Sequence, residues 1–109
     1  MSRKLLAKQS FSQLVWALTK RVPKGKVTTY LELAKALKKP RSYRAVGNAL
    51  HKNPYAPVVP CHRVVRSDGY VGGFASGAQK KVDLLKREGV QIINYKVTPL
   101  KRFIYYFKT

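Results

Sequence analysis

Acidic residues are the scarcest feature of this 109-residue chain. It has four, Glu32, Asp68, Asp83 and Glu88, against 23 lysines and arginines, a formal charge of +19. So large a charge of one sign opposes compaction by self-repulsion and fits a polyanionic partner, nucleic acid ahead of an anionic membrane surface. Charge alone does not separate DNA from RNA. A single cysteine excludes an internal disulfide; a reducing, cytoplasmic setting is expected, and a free thiol is left to explain. The two histidines, His51 and His62, show no paired-ligand spacing with it. Neighbours such as Cys61 and His62 rarely converge on one tetrahedral ion, so no metal is expected. No apolar run approaches a membrane span, and the first residues lack a signal-peptide core. No Gly-Lys-Ser/Thr follows the glycines at 72–77, which removes a P-loop reading. No repeat, linker or second domain is visible. What remains is one domain with a real but modest core.

The residues present divide into short periodic segments. After a basic lead-in over 1–9, Ser10-x-x-Gln13 fits a capping box, and Phe11, Leu14, Val15 and Leu18 fall at helical spacing. Val22-Pro23-Lys24-Gly25 ends that helix, and Val27-Thr28 reads as an extended connector. Thr29 and Glu32 predict a second capping box, with Tyr30, Leu33, Ala34 and Leu37 buried and Lys38-Lys39-Pro40 as the stop. A third helix is predicted from Ser42 to Lys52, with Ala45, Val46, Ala49 and Leu50 inward and Arg44, Asn48 and His51 on a polar stripe. Two short helices joined by a tight turn, the second bearing an arginine on its polar face, outline a helix-turn-helix. Beyond the prolines at 54, 57 and 60, Cys61–Val65 reads as a helical turn or short extended piece and Ser67-Asp68-Gly69 as a turn. A fourth helix is expected over Ala78–Glu88, opened by Ser76-x-x-Gln79 and stopped by Gly89. Val90–Val97 reads as a strand, and Thr98-Pro99 opens an amphipathic helix with Leu100, Phe103, Ile104 and Phe107.

The chemistry concentrates at Cys61-His62. An ordinary thiol, with a pKa of about 8.5, is mostly neutral at pH 7 and needs help to become a nucleophile. His62 can take its proton directly or through a water, given a carboxylate to orient the ring. Glu88, Asp83 and Asp68 are the candidates. The plain alternative is a buried, inert cysteine acting as a small hydrophobe. A thiol hydrolase would leave the charge and the helix-turn-helix unused.

Pro60-Cys61-His62-Arg63-Val64 is also where the chain resembles a known family, the O6-alkylguanine-DNA alkyltransferases. The resemblance extends to Gly25-Lys26-Val27-Thr28-Thr29-Tyr30, Arg44-Ala45-Val46-Gly47-Asn48-Ala49, Asn53-Pro54, Gly72-Gly73-Phe74 and Leu84-Leu85-x-x-Glu88-Gly89. It covers roughly residues 10–89 in order and looks like the family's C-terminal catalytic domain standing alone, with 90–109 an unmatched extension. The fold expected is mainly α, a winged-helix-like helix-turn-helix domain with short extended segments. The resemblance implies a monomer that needs no cofactor and flips O6-alkylguanine, with O4-alkylthymine a further substrate, out of double-stranded DNA. It then takes the alkyl group irreversibly onto its own cysteine. On this pattern Cys61 is the acceptor, His62 the base, Glu88 the acid that orients it, and Tyr30 the proton donor to the departing base. Asn53 braces the active-site turn, and Arg44 fills the gap left by the flipped base, with Ser42, Tyr43, Ala45, Asn48 and Arg63 also on the DNA side. Val59, Pro60, Val71, Gly72, Phe74, Ala75 and Ser76 are expected to line the substrate pocket. Where the family often has tyrosine then serine, this chain has Phe74-Ala75, which keeps the aromatic wall and loses a hydroxyl. Two readings from other classes compete, a lesion-sensing DNA-binding protein that transfers nothing and a transcriptional helix-turn-helix module. Lesion sensors of that kind replace the acceptor cysteine, and a transcriptional module leaves Cys61-His62 unused.

Overall fold

The computed structural model describes residues 9–72 and 77–107. The described residues form a mainly helical domain with short strands. Helix α1 (Phe11–Thr19) starts at Ser10, whose hydroxyl accepts from the Gln13 N–H while the Gln13 side chain accepts from the Ser10 N–H, a complete capping box. Strand β1 (Thr28–Thr29) leads directly into α2 (Tyr30–Ala36). Here only half of the expected box forms. Thr29 Oγ1 accepts from the Glu32 N–H, while the Glu32 carboxylate turns to Lys35 at 3.5 Å. After the turn at Lys38, with φ of 60°, helix α3 (Tyr43–His51) follows. Val46, Ala49 and Leu50 are its buried face, whereas Ala45, expected inward, is exposed with Arg44 and Asn48.

A one-turn 3-10 helix over Cys61–Arg63 runs into strand β2 (Val64–Val65), which pairs in parallel with β1, Thr28 opposite Val64 and Thr29 opposite Val65. Helix α4 (Ala78–Arg87) has Gly77 at its N-cap, with no side-chain cap; Gln79 donates instead to Asp83. Ser76 lies outside the described residues. Gly89, at φ +94°, stops the helix where a side chain would be strained.

The single strand expected over Val90–Val97 is a hairpin. Strands β3 (Ile92–Ile93) and β4 (Lys96–Val97) pair antiparallel across Asn94 and Tyr95, both in the left-handed region, as a tight primed turn requires. The final helix is also shorter than its periodicity implied. Helix α5 (Leu100–Phe103) is one turn, because Ile104 leaves it to bridge Val27 and the Tyr105 N–H donates to the Val27 carbonyl at 2.6 Å. Thr98, expected as its cap, donates to the Lys96 carbonyl instead, and Pro99 holds the cap position.

Two apolar clusters result. One joins Val15, Leu33, Ala34, Val46, Ala49, Leu50 and Val64, and so ties α1, α2 and α3 together beneath the active-site turn. The other joins Val27, Val65, Val71, Val82, Leu85, Val90, Ile92, Val97 and Phe103. Strands β1 and β2 run between them, with Thr28, Val64 and Val65 fully buried. The residues on either side of these strands are therefore carried on a fully buried, close-packed segment.

Candidate active site

The Cys61 turn is held from behind by Asn53. Its Nδ2 donates to the Val59 carbonyl at 2.9 Å and its Oδ1 accepts from the Tyr55 N–H at 2.8 Å, so one side chain ties both ends of the Tyr55–Val59 loop. The Val59 carbonyl also accepts from the Cys61 N–H at 2.9 Å. The Tyr55 ring meets Trp16 edge-on at 5.6 Å, and Trp16 Nε1 donates to the Ala49 carbonyl at 2.8 Å, which fixes the loop against α1 and α3. Asn53→Ala is expected to destabilise the fold by about 1 kcal/mol, the worth of an ordinary hydrogen bond. It should also speed reaction of Cys61 with a thiol reagent; urea unfolding and thiol titration check the pair.

Cys61 is half-buried and a free thiol. His62 beside it is 4% exposed, its Nε2 3.1 Å from Glu88 Oε2. Arg63 grips the same carboxylate as a fork, Nε to Oε1 at 2.9 Å and Nη2 to Oε2 at 2.7 Å, and gives Nη1 to the Val22 carbonyl at 2.9 Å. Arg63 was expected on the DNA side; it faces inward, spent on Glu88 and Val22. The fork also explains how a carboxylate sits at the C-cap of α4, where the helix dipole opposes it. Burial works to raise the Glu88 pKa, but hydrogen bonds from Arg63 and His62 and their charges outweigh it, and the net shift is downward. Burial lowers the His62 pKa, more than the Glu88 hydrogen bond and charge raise it. Glu88 is thus ionised and His62 neutral near pH 7. A carboxylate only accepts, which assigns the imidazole proton to Nε2 and leaves Nδ1 bare. Of the three candidate acids, Glu88 is the one beside His62. Asp68 and Asp83 are exposed and bound to the Tyr70 N–H and the Gln79 amide.

Tyr30, the first residue of α2, is half-buried and crosses the site from the other strand. Its ring passes α3 at Gly47, where an added Cβ would lie 3.9 Å from the ring edge. A methyl there would make only an ordinary van der Waals contact, so packing against Tyr30 does not by itself demand the glycine. Burial raises the Tyr30 pKa, the Cys61 charge adds to the rise, and Arg66 opposes both. Gly72, at φ +76°, lies beneath it; a Cβ there would come within 3.5 Å of Tyr30 Oη.

One residue escaped the sequence reading. Lys81 is 1% exposed, with Nζ 3.5 Å from Tyr30 Oη and 5.8 Å from the ring centroid. Burial lowers its pKa to about 8, against the pull of the Cys61 thiolate. Its position was legible: Lys81 follows Ala78 by three and precedes Leu85 by four, which puts it on the inward face of α4. Val59 and Pro60 are buried at the approach to Cys61. Val71, expected in the pocket wall, is 0% exposed within the apolar cluster of β2, α4 and the hairpin. Phe74, Ala75 and Ser76 lie outside the described residues. Ser42, Tyr43, Arg44, Ala45 and Asn48 sit at the N-cap and along the outer face of α3. Among the described residues no group of three histidine, cysteine or acidic side chains is placed to hold a metal ion, and no helix is long and apolar enough to cross a membrane.

A helix-turn-helix beside a short turn that carries a cysteine and a neutral histidine, with an ion-paired glutamate brought to that histidine from the end of α4, defines a narrow class of proteins. The family model described as "6-O-methylguanine DNA methyltransferase, DNA binding domain" matches residues 10–90, and the chain belongs to that family. A methylated-DNA–protein-cysteine methyltransferase of Methanosarcina barkeri is 49% identical over 78 residues, 72% of this chain and 49% of the relative. The chain thus spans about half the length of curated relatives of this kind. Mycobacterium tuberculosis OGT, solved in complex with DNA, superposes with a TM-score of 0.71 at 39% identity, over 73% of this chain and 50% of that one. S. pombe Atl1, solved with damaged DNA containing O6-carboxymethylguanine, gives 0.78 at 32% identity over 96% of this chain and 98% of its own. A likeness of that extent leaves only a few residues outside it, so the hairpin and α5 lie largely within the shared fold.

Proposed function

We propose that this chain repairs DNA by direct reversal, accepting the alkyl group of O6-alkylguanine onto Cys61 Sγ. The observation that carries the reading is His62, which burial keeps neutral and whose Nε2 proton points to a glutamate that Arg63 keeps ionised. His62 Nδ1 takes the Cys61 proton, directly or through a water, and the thiolate attacks the alkyl carbon in line with the bond to O6. As that bond breaks its electron pair passes to the guanine, and Tyr30 Oη supplies the proton the departing base needs. The thioether is stable, so each molecule acts once.

Arg44 on the outer face of α3 enters the stack where the flipped base was, and Ser42, Tyr43, Ala45 and Asn48 meet the backbone of duplex DNA. Asn53 keeps the acceptor turn rigid, while Val59, Pro60 and Gly72 bound the approach to the thiol. No cofactor enters the reaction. The protein acts as a monomer in the cytoplasm, at the nucleoid if the cell is prokaryotic.

The full-length likeness to Atl1 favours one second reading, a protein that binds the lesion and transfers nothing. Intact mass after incubation with an O6-methylguanine duplex separates the two. A methyl-sized gain in the wild type, absent from Cys61→Ala, is the expected result. No gain in either, with lesion-selective binding retained, would overturn transfer in favour of sensing.

A further inference from the structure

A cavity of about 340 Å³ opens beside Tyr30, lined by Tyr30, Leu31, Tyr43, Arg66, Ser67 and Asp68. It lies where the first residues of α2 and α3 meet the turn that follows β2. Arg66 dominates its chemistry. The stem of Arg66 packs over Gly72, whose added Cβ would stand 3.6 Å from Arg66 Cγ and 3.5 Å from Tyr30 Oη. The guanidinium lies 5.6 Å from the Tyr70 ring centroid and makes none of the ion pairs found among the described residues. Its charge reaches Tyr30 and Asp68. The backbone beneath it is closed, with the Arg66 N–H donating to the Tyr70 carbonyl at 2.9 Å and the Arg66 carbonyl accepting from the Gly69 N–H at 2.8 Å. A planar cationic fork on a fixed turn is suited to a phosphate oxygen pair, and little freedom is lost when it binds.

We infer that Arg66 is a subsite for one backbone phosphate flanking the flipped nucleotide. The inference rests on the repair reading, because it places the base between Tyr30 and Cys61. A base held there would carry its sugar and phosphates past Tyr30, and Tyr30 is one wall of this cavity. The Ser42 hydroxyl is turned to the Lys39 carbonyl, so no side chain caps the amides of Tyr43, Arg44 and Ala45 at that end of α3. Asp68 stands on the same rim as an opposing charge, pinned by the Tyr70 N–H at 3.0 Å. Arg66 and Asp68 should therefore act on binding with opposite signs.

Binding is tested in the full chain carrying Cys61→Ala, so that the result does not depend on transfer. The Kd for an O6-methylguanine duplex is read by anisotropy across a salt series. Arg66→Ala is expected to weaken binding about tenfold and to make the slope of log K against log salt shallower by about 0.9, one phosphate contact. Arg66→Lys should lose only part of this, and Asp68→Asn should tighten binding about two- to threefold. Replacing the phosphates on either side of the lesion, one at a time, by neutral methylphosphonate should abolish the Arg66→Ala penalty at one of the two positions. An unchanged Kd and slope in Arg66→Ala overturns the subsite, as does a penalty that survives both methylphosphonates. If the wild-type protein transfers nothing while these binding effects hold, the repair reading fails and the phosphate subsite stands.

Discussion

Glu88→Ala is expected to lower the unfolding free energy by about 3–5 kcal/mol, because it leaves the Arg63 guanidinium half-buried without its counter-charge. The same substitution removes the acceptor that holds the His62 proton on Nε2. With the ring free to take the other tautomer, Nδ1 no longer waits as a base, and alkyl transfer should slow about 10²–10⁴-fold, the usual worth of a positioned base. The two losses are separable. Glu88→Ala combined with Arg63→Met replaces a broken ion pair by apolar contact and should recover much of the stability while transfer stays low. Urea unfolding and single-turnover transfer on the four proteins of that cycle make the comparison. Equal recovery of both properties would show that Glu88 acts only as a structural partner of Arg63.

The transfer rate should follow a bell-shaped pH profile with an acid limb set by His62. Burial holds the His62 pKa below 6.5, so the base stays neutral through pH 7 and is lost only as the pH falls through that lowered value. On the alkaline side, Lys81 changes charge near pH 8. Its ammonium faces the Cys61 thiolate and Tyr30 Oη, so its deprotonation withdraws positive charge from both and the rate should fall above about pH 8. Lys81→Arg keeps the charge at all working pH and should erase the alkaline limb alone, a result read from single-turnover rates between about pH 5 and pH 9. Stability carries the same groups. The folded pKa values of His62 and Glu88 both lie below their unfolded ones, so the unfolded chain binds more protons as the pH falls. The His62 contribution is intact above 6.5 and erodes below it; that of Glu88 is intact above 4.5 and erodes below that. Lys81, at about 8 when folded against 10.5 when unfolded, contributes a stability that rises with pH between those values.

The elements that could be read from residue order are those whose signals are local. Ser10 and Gln13 cap α1 by contacts three residues apart, and Gly89 ends α4 through its own backbone. The Cys61 turn was legible as a candidate site because the types that nucleophilic chemistry needs stand side by side at Cys61-His62. Arg63 was misplaced because its sequence neighbours are a reactive site and a basic chain, whereas its partner Glu88 is 25 residues away. Lys81 was hidden in the pair Lys80-Lys81, which resembles a solvated face unless its spacing from Ala78 and Leu85 is counted. The hairpin over Ile92–Val97 alternates one buried and one exposed isoleucine, and its turn depends on left-handed Asn94 and Tyr95. The last helix was overextended because an apolar spacing that fits a helix also fits Ile104 reaching back to Val27. Where a partner distant in the chain decides, local pattern is insufficient.

The two-residue pairing of β1 with β2 sets a clearance that does not depend on the described loops at 37–42 and 54–58. Tyr30 directly follows β1 and Arg63 directly precedes β2, so the span from Tyr30 to the Cys61 turn is fixed by the register Thr28–Val64 and Thr29–Val65. The turn at 37–42 and the loop at 54–58 lie outside that ladder. Either can lengthen or shorten, and so re-aim the outer face of α3 or the rim of the approach, while the spacing of Tyr30 from the Cys61 turn stays as it is. Reach toward the partner and calibration of the chemistry are thus two independent dimensions of a very small fold.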